Sequence, residues 1–361
     1  MKYLFIIDNL GSGGAERQIV ALAITTKQRN HNVVILGYAK GDHFLGTIQS
    51  HGIDYYLIDD KNPIKRIMNF RKKIKQLKPD TIIAFLRTAS LLAELSALPV
   101  KRFNIIIQEC NNIYQKYSLK NSIFLQFHRI ADIVTTNSEY TTDAVLMRAP
   151  YLKKKIRTIY NGLDLKRFKP VENYLPGSPR SFIVVSSHQT HKNAKGLILA
   201  LDKIKRTSKN LTPRIYWYGS DLSEYLGSPS EAFVEAARLV EDHGLKDEFF
   251  LRKPVVDIEK MHHQVDALIQ CSFWEGMPNS VCEAMASGLP VLMSKVSDYK
   301  VLTEGNGKSF NPNSIDEIAD AIEWFCNLQA EEISRLRKVS REKAENLCSM
   351  DKMVDTFLSL P

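Results

Sequence analysis

Glu275 and Glu283, with seven residues between them, stand in the stretch of this chain richest in groups able to do chemistry. From Cys271 to Val291 the sequence leaves an apolar run, turns at Gly276, Pro278 and Asn279, opens a short helical pattern and enters another apolar run. Glu275 lies on the loop and Glu283 in the first turn of the helix, beside the free N–H groups of Asn279, Ser280 and Val281. Carboxylates so placed can grip polyol hydroxyls, while a helix tip receives a diphosphate. Ser280-x-x-Glu283 equally fits a capping box, in which Glu283 only satisfies a backbone donor. Glu275, between Trp274 and Gly276 at a strand's end, has no evident capping partner.

A second loop with chemical potential is Gly11-Ser12-Gly13-Gly14-Ala15-Glu16-Arg17, which follows the first apolar run and precedes a helical pattern over Gln18–Thr26. Glycines at a strand-to-helix turn let N–H groups approach a phosphate. The dinucleotide fingerprint requires glycine where Glu16 stands and an acid where the second strand ends in Leu36-Gly37, so a nicotinamide cofactor is disfavoured. Polar loops after two further apolar runs offer Arg87, and Glu109 with Asn111.

The elements that must position these groups alternate. Tyr3–Ile7, Asn32–Leu36, Thr81–Phe85, Asn104–Ile107 and Ile133–Thr136 read as strands with helical segments between them, the pattern of a parallel sheet covered on both faces. Two prolines and a glycine over Tyr174–Pro179 break the pattern and suggest a linker. It restarts with strands at Phe182–Ser186, Arg214–Tyr218, Phe249–Leu251, Ala267–Gln270 and Pro290–Met293, and helices at Lys195–Lys205 and Ser230–His243. From Ser314 the tail is helical, closing with Met350–Leu360. The reading is α/β, with two Rossmann-like domains facing across a cleft: 1–172, then 173–340, and a terminal segment 341–361.

At 361 residues two domains are the natural expectation. A hydrophobic fraction of 44% with 25% charged residues excludes a disordered or fibrous chain. The first apolar run stops at Asp8, too short for a signal peptide, and no stretch approaches a membrane span, so a cytoplasmic protein is expected. Five scattered cysteines form no Cys-x-x-Cys pair, and His188 and His191 lack a third ligand, which argues against a metal site. The net charge of +9 calls for an acidic partner. Lys61–Pro79 carries eight basic residues and no acid, with Ile64, Ile67, Met68, Phe70, Ile74 and Leu77 at near-helical spacing. That is either a basic amphipathic helix on an anionic membrane or a solvated surface helix.

Glu275-Gly276-Met277-Pro278-Asn279 and Glu283-Ala284-Met285-Ala286 resemble the double-glutamate hallmark of the retaining glycosyltransferases of family four. Further signatures follow in order: Gly13-Gly14-Ala15-Glu16-Arg17, Ala131-Asp132-Ile133 leading to Asn137-Ser138, Tyr160-Asn161-Gly162-Leu163-Asp164 with Phe168 and Pro170, and Lys192-Asn193. The resemblance spans nearly the whole chain. It implies the GT-B architecture, with final helices crossing back to the first domain, and transfer of a hexose or N-acetylhexosamine from a nucleotide diphosphate sugar, uridine-linked, to a glycan or lipid-linked acceptor. It implies neither cofactor nor metal, consistent with the absence of any Asp-x-Asp, and no nucleic-acid partner.

Carried over by position, Glu275 holds the transferred sugar and Glu283 the ribose hydroxyls. Gly276, Met277, Pro278, Asn279, Ser280 and Val281 line the sugar and phosphate site, and Gly13 and Gly14 place donors near the distal phosphate. Gln108-Glu109-Cys110-Asn111-Asn112 resembles the family's Glu-Arg-Asn stretch with Cys110 in place of arginine, so Glu109 or Asn111 is expected to contact acceptor or donor sugar, and Arg87, on another polar loop, is a further acceptor-side candidate. Where the family shows Gly-Arg-Leu-x-x-x-Lys this chain has Ser186-Ser187-His188-Gln189-Thr190-His191-Lys192. Lys192 is kept, but Ser187 replaces the arginine. Stabilising the leaving diphosphate needs fixed cations or donors, and His188, Lys195 and Arg252 are candidates to compensate. The alternatives are a GT-B nucleotide-sugar epimerase and a non-catalytic sugar-nucleotide-binding protein.

Overall fold

The apolar runs form parallel strands whose alternate side chains feed opposite faces of each sheet. The computed structural model describes residues 1–110, 119–172, 174–208 and 210–361, so Asn111 lies outside the described residues. The chain divides into two compact units, Met1–Gly162 with Ser349–Pro361, and Leu163–Cys348.

In the first unit β1 (Lys2–Ile6), β2 (Asn32–Gly37), β3 (Asp54–Leu57), β4 (Thr81–Phe85), β5 (Asn104–Glu109), β6 (Ile133–Thr136) and β7 (Ile156–Thr158) form one parallel sheet in the order β3-β2-β1-β4-β5-β6-β7. Leu4, Ile6, Val34, Ile82 and Ile105 enter the core on one face. Tyr3, Phe5, Val33, Ile83 and Ile106 enter the core on the other. A strand buried on both sides has to read as a continuous apolar run, which is why these strands are legible.

The second unit repeats the design with β8 (Ser181–Val185), β9 (Arg214–Tyr218), β10 (Phe249–Arg252), β11 (Ala267–Gln270), β12 (Val291–Ser294) and β13 (Gly307–Phe310), in the order β10-β9-β8-β11-β12-β13. Phe182, Val184, Ile215, Trp217, Leu292 and Phe325 belong to one core cluster of this unit. In both sheets the order reverses direction once, between β1 and β4 and between β8 and β11. These are the topological switch points where α/β proteins hold ligands.

The units do not divide at 172/173. The Pro/Gly-rich stretch expected as a linker is fastened to the second unit by Asp266, fully buried, whose carboxylate accepts from Tyr174 Oη, Gly177 N (2.8 Å) and Ser181 N (2.6 Å). The return to the first unit begins at Ser349 rather than at 341, because the helix Ala330–Leu347 buries Ile333, Leu336 and Ala344 within the second unit. The terminal helix Met350–Ser359 buries Met353, Val354 and Phe357 in the first unit's core, and Arg29 pairs with its Asp351 and Asp355. Among the described residues no helix is long and apolar enough to cross a membrane.

Candidate functional site

The loops leaving β8 and β11 flank the second unit's switch point and carry Lys192 and Glu275. Thr190–Lys192 forms one 3-10 turn, after which Asn193 adopts a left-handed conformation (φ 60°, ψ 42°). Asparagine tolerates that region, and its side chain then caps the helix Ala194–Thr207 by accepting from Gly196 N at 3.1 Å. The turn aims Lys192 Nζ at Glu275 Oε1, 2.6 Å away. The same oxygen accepts from Ser272 Oγ at 2.7 Å and Gln270 Nε2 at 3.4 Å. Both side chains are 16% exposed, so the pair is half-sheltered and still within reach of a ligand.

Two more contacts knit the loops. Phe273 N donates to His191 O at 2.8 Å, and the His191 ring stacks on Trp274 with centroids 5.0 Å apart. Burial, with the neighbouring Lys192 charge, holds the His191 imidazole below its usual pKa. Behind them Ser294 Oγ donates to Gln270 Oε1 (2.9 Å) and Ser272 O (2.7 Å), and Ser297 Oγ donates to Gly276 O. Sequence reading missed this support of Gln270, Ser272, Ser294 and Ser297. Its signal was an unusual run of small polar residues at the ends of apolar strands.

The helix Asn279–Ala286 starts earlier than expected and alters two expectations. Its N-cap is Pro278, which offers no side-chain cap, so the Ser280–Glu283 capping box does not form and Glu283 sits beyond the first turn. Val281 N is not free, since it donates to Pro278 O at 3.1 Å. Glu283 is 3% exposed and Met277 is buried, whereas Asn279, Ser280 and Gly276 remain partly accessible. Glu283 is therefore turned into the interior of the second unit and is not presented at the helix tip. A hydrogen bond made there gains strength from low local dielectric.

The candidates to replace the missing arginine separate. His188 is 1% exposed, stacked on Trp217 (5.2 Å) and edge-on to Phe233 (5.0 Å). Burial pushes its pKa down to about 4, so it is neutral at pH 7 and supplies no cation. Lys195 points to Glu235 on the helix Glu231–Asp242, 2.9 Å away. Ser187 Oγ accepts from Gln189 Nε2 at 3.1 Å. Arg252 remains at the carboxyl end of β10, exposed and 5.3 Å from the Phe250 ring centroid.

In the first unit Gly13 is the N-cap of the helix Gly14–Gln28 and both glycines are exposed. A Cβ at Gly13 would strike the Glu16 carboxylate. A carboxylate thus already stands at the turn expected to receive phosphate, and burial pushes its pKa up. Arg87 follows Leu86, which has a positive φ of 72°, and lies 5.0 Å from the Phe124 ring centroid. Glu109 does not face outward: at 1% exposure it accepts at 3.2 Å from His128 Nε2, while His128 Nδ1 meets Glu94 Oε1 at 2.9 Å. This buried Glu94–His128–Glu109 row corrects the expectation that Glu109 contacts acceptor. Burial alone would depress the His128 pKa, but the two carboxylates lift it to about 9. Among the described residues no group of His, Cys, Asp and Glu is arranged to hold a metal ion.

Comparison with known proteins agrees with this architecture. Residues 12–167 match the model of Glycosyltransferase Family 4, and 166–346 match that of Glycosyl transferases group 1. The chain is 22% identical over 293 residues, 79% of its own length and 77% of the relative's, to a Campylobacter jejuni α-1,4-N-acetyl-D-galactosaminyltransferase named for a GalNAc-GalNAc-diNAcBac-PP-undecaprenol acceptor. It is 25% identical to the Escherichia coli UDP-Gal:α-D-GlcNAc-diphosphoundecaprenol α-1,3-galactosyltransferase, covering 57% of this chain and 54% of that one. The crystal structure of Anabaena HepE with UDP-glucose superposes with a TM-score of 0.80 at 18% identity, over 99% of each chain. The fold is of the GT-B class. With one model covering half the chain and the other most of the remainder, this protein belongs to the group 1, family 4 glycosyltransferases.

Proposed function

We propose that this glycosyltransferase moves a hexose or N-acetylhexosamine from a UDP-sugar to a lipid-linked or polysaccharide acceptor, with retention of anomeric configuration and without a metal ion. The observation that carries this reading is the Lys192–Glu275 pair across the second unit's switch point, 2.6 Å apart and still partly exposed. The donors and acceptors named for its relatives support the substrate class.

In this reading Glu275 orients the sugar hydroxyls and Glu283 takes the ribose hydroxyls. Lys192 and the first-turn N–H groups near Asn279 stabilise the diphosphate. The acceptor O–H attacks the anomeric carbon on the face from which the diphosphate leaves. The C–O bond to phosphate breaks as the new glycosidic bond forms, and the acceptor proton passes to the departing phosphate oxygen. Glu275 is then a positioning group, and the site's contribution is orientation and charge stabilisation. Arg252, exposed at the carboxyl end of edge strand β10, two strands from β8, is the remaining candidate to replace the arginine lost at Ser187. Arg87 keeps its assignment to the acceptor side. A nucleotide-sugar donor implies a cytoplasmic reaction.

The test is nucleotide release from UDP-sugars with and without a panel of lipid-linked and glycan acceptors. Transfer requires acceptor-dependent release, together with losses of about a hundredfold or more for Lys192→Ala and Glu275→Gln. Isomerised sugar without acceptor would establish the epimerase instead, and binding without turnover would establish a non-catalytic protein. Unchanged turnover in Lys192→Ala removes the diphosphate assignment.

A further inference from the structure

The basic segment forms the helix Pro63–Leu77, started by Asn62, whose side chain accepts from Ile64 N and Lys65 N, and by Pro63 at its first position. Its apolar residues do not share one face. Phe70 and Ile74 are buried in the first unit's core, with Ile67 and Leu77 packed against them. Ile64 and Met68 point the other way, 69% and 62% exposed. At 100° per residue these two stand one turn apart on one flank of the outward face, whose centre, opposite Phe70 and Ile74, carries Lys65 and Lys72. Lys65 and Lys72 flank them on one side and Arg71 on the other, and Lys75 follows on the same stripe. The outward face thus carries an exposed apolar pair bordered by cations.

The opposite flank of the helix meets the sheet edge. Edge strand β3 exposes Tyr56 and Leu57, and Lys73 Nζ lies 3.3 Å from the Tyr56 ring centroid, joining strand to helix. Asp60, whose side chain accepts from Asn62 N and Asn69 Nδ2, keeps its negative charge at the helix start. Asp59 borders the patch on the strand side. A helix that merely presents solvated charge has no use for exposed Ile and Met side by side among its cations, and neither does a face that reads a phosphate backbone.

We propose that this face docks the protein on an anionic phospholipid bilayer. Ile64 and Met68 enter the boundary between headgroups and acyl chains, about 5–10 Å deep, while the bordering Lys and Arg bind lipid phosphates. Tyr56 lies at headgroup level, as amphipathic aromatic side chains do at such interfaces. This goes beyond the sugar-transfer reading and does not depend on it, since none of these residues belongs to the donor site.

The experiment is co-sedimentation of the full-length protein with phosphatidylcholine vesicles, with and without phosphatidylglycerol, at low and high salt. Binding is expected only with phosphatidylglycerol and is lost at high salt. Lys72→Glu/Lys75→Glu and Ile64→Ser/Met68→Ser should each lower partitioning by roughly tenfold or more, with circular dichroism and UDP-sugar binding unchanged. Equal binding to both vesicle types, or wild-type binding by both double variants, overturns the proposal. If only the charge reversal matters and the Ile64/Met68 variant binds as wild type, the face is a general polyanion surface and the bilayer assignment is wrong. UDP-sugar binding, read on the same samples, separates failure here from failure at the donor site.

Discussion

Replacing His128 by Gln should cost the first unit about 3 kcal/mol or more at pH 7, because the imidazolium is what two buried carboxylates share. The magnitude follows from its pKa, lifted to about 9 from the usual 6.5; at about 1.4 kcal/mol per tenfold change this is on the order of 3 kcal/mol. Removing one partner from a buried ion pair typically costs about 3–5 kcal/mol, which agrees. Glu94 pulls the other way: burial pushes its carboxyl up, so its ionised form is penalised by folding and the net value of the row is below the His128 figure. Since the folded pKa exceeds the unfolded one, the His128 contribution is complete below pH 6.5, declines as pH rises from 6.5 to about 9, and vanishes above it. Urea unfolding followed by far-UV circular dichroism at intervals across that range should show wild-type stability falling more steeply than that of His128→Gln. Parallel slopes for the two proteins, or a loss under about 1 kcal/mol at pH 7, would refute the shared-proton account. If His128→Gln does not fold, Glu94→Gln serves, and should move the decline to lower pH by removing one of the charges that hold the proton.

Metal independence predicts that chelation with EDTA leaves acceptor-dependent nucleotide release within twofold of its starting value; a large loss restored by magnesium would contradict the role given to Lys192 and the helix tip. Asn193→Ala should lower stability by roughly 1–2 kcal/mol and reduce turnover beyond that, because it removes a cap, a 2.8 Å bond to Pro312 O and the left-handed turn that aims Lys192. A variant with wild-type denaturation and turnover would show that the turn does not depend on Asn193.

The sequence by itself determined the doubly wound α/β class, the central strands, and the two loops that meet at the second switch point. Strands buried on both faces must be apolar throughout, and glycine, proline and asparagine mark the turns that hold Glu275 and Lys192. Three strands escaped sequence reading: Asp54–Leu57, Ile156–Thr158 and Gly307–Phe310, and each lies at a sheet edge. An edge strand is short or half exposed and needs no apolar run, so it leaves little pattern to find. Only the tertiary structure decided that His188 is a neutral core residue and that Glu109 is turned into His128. It also divided the apolar residues of the basic helix between core and surface. Each depends on which side chain of a distant segment stands opposite, and spacing along the chain does not carry that information.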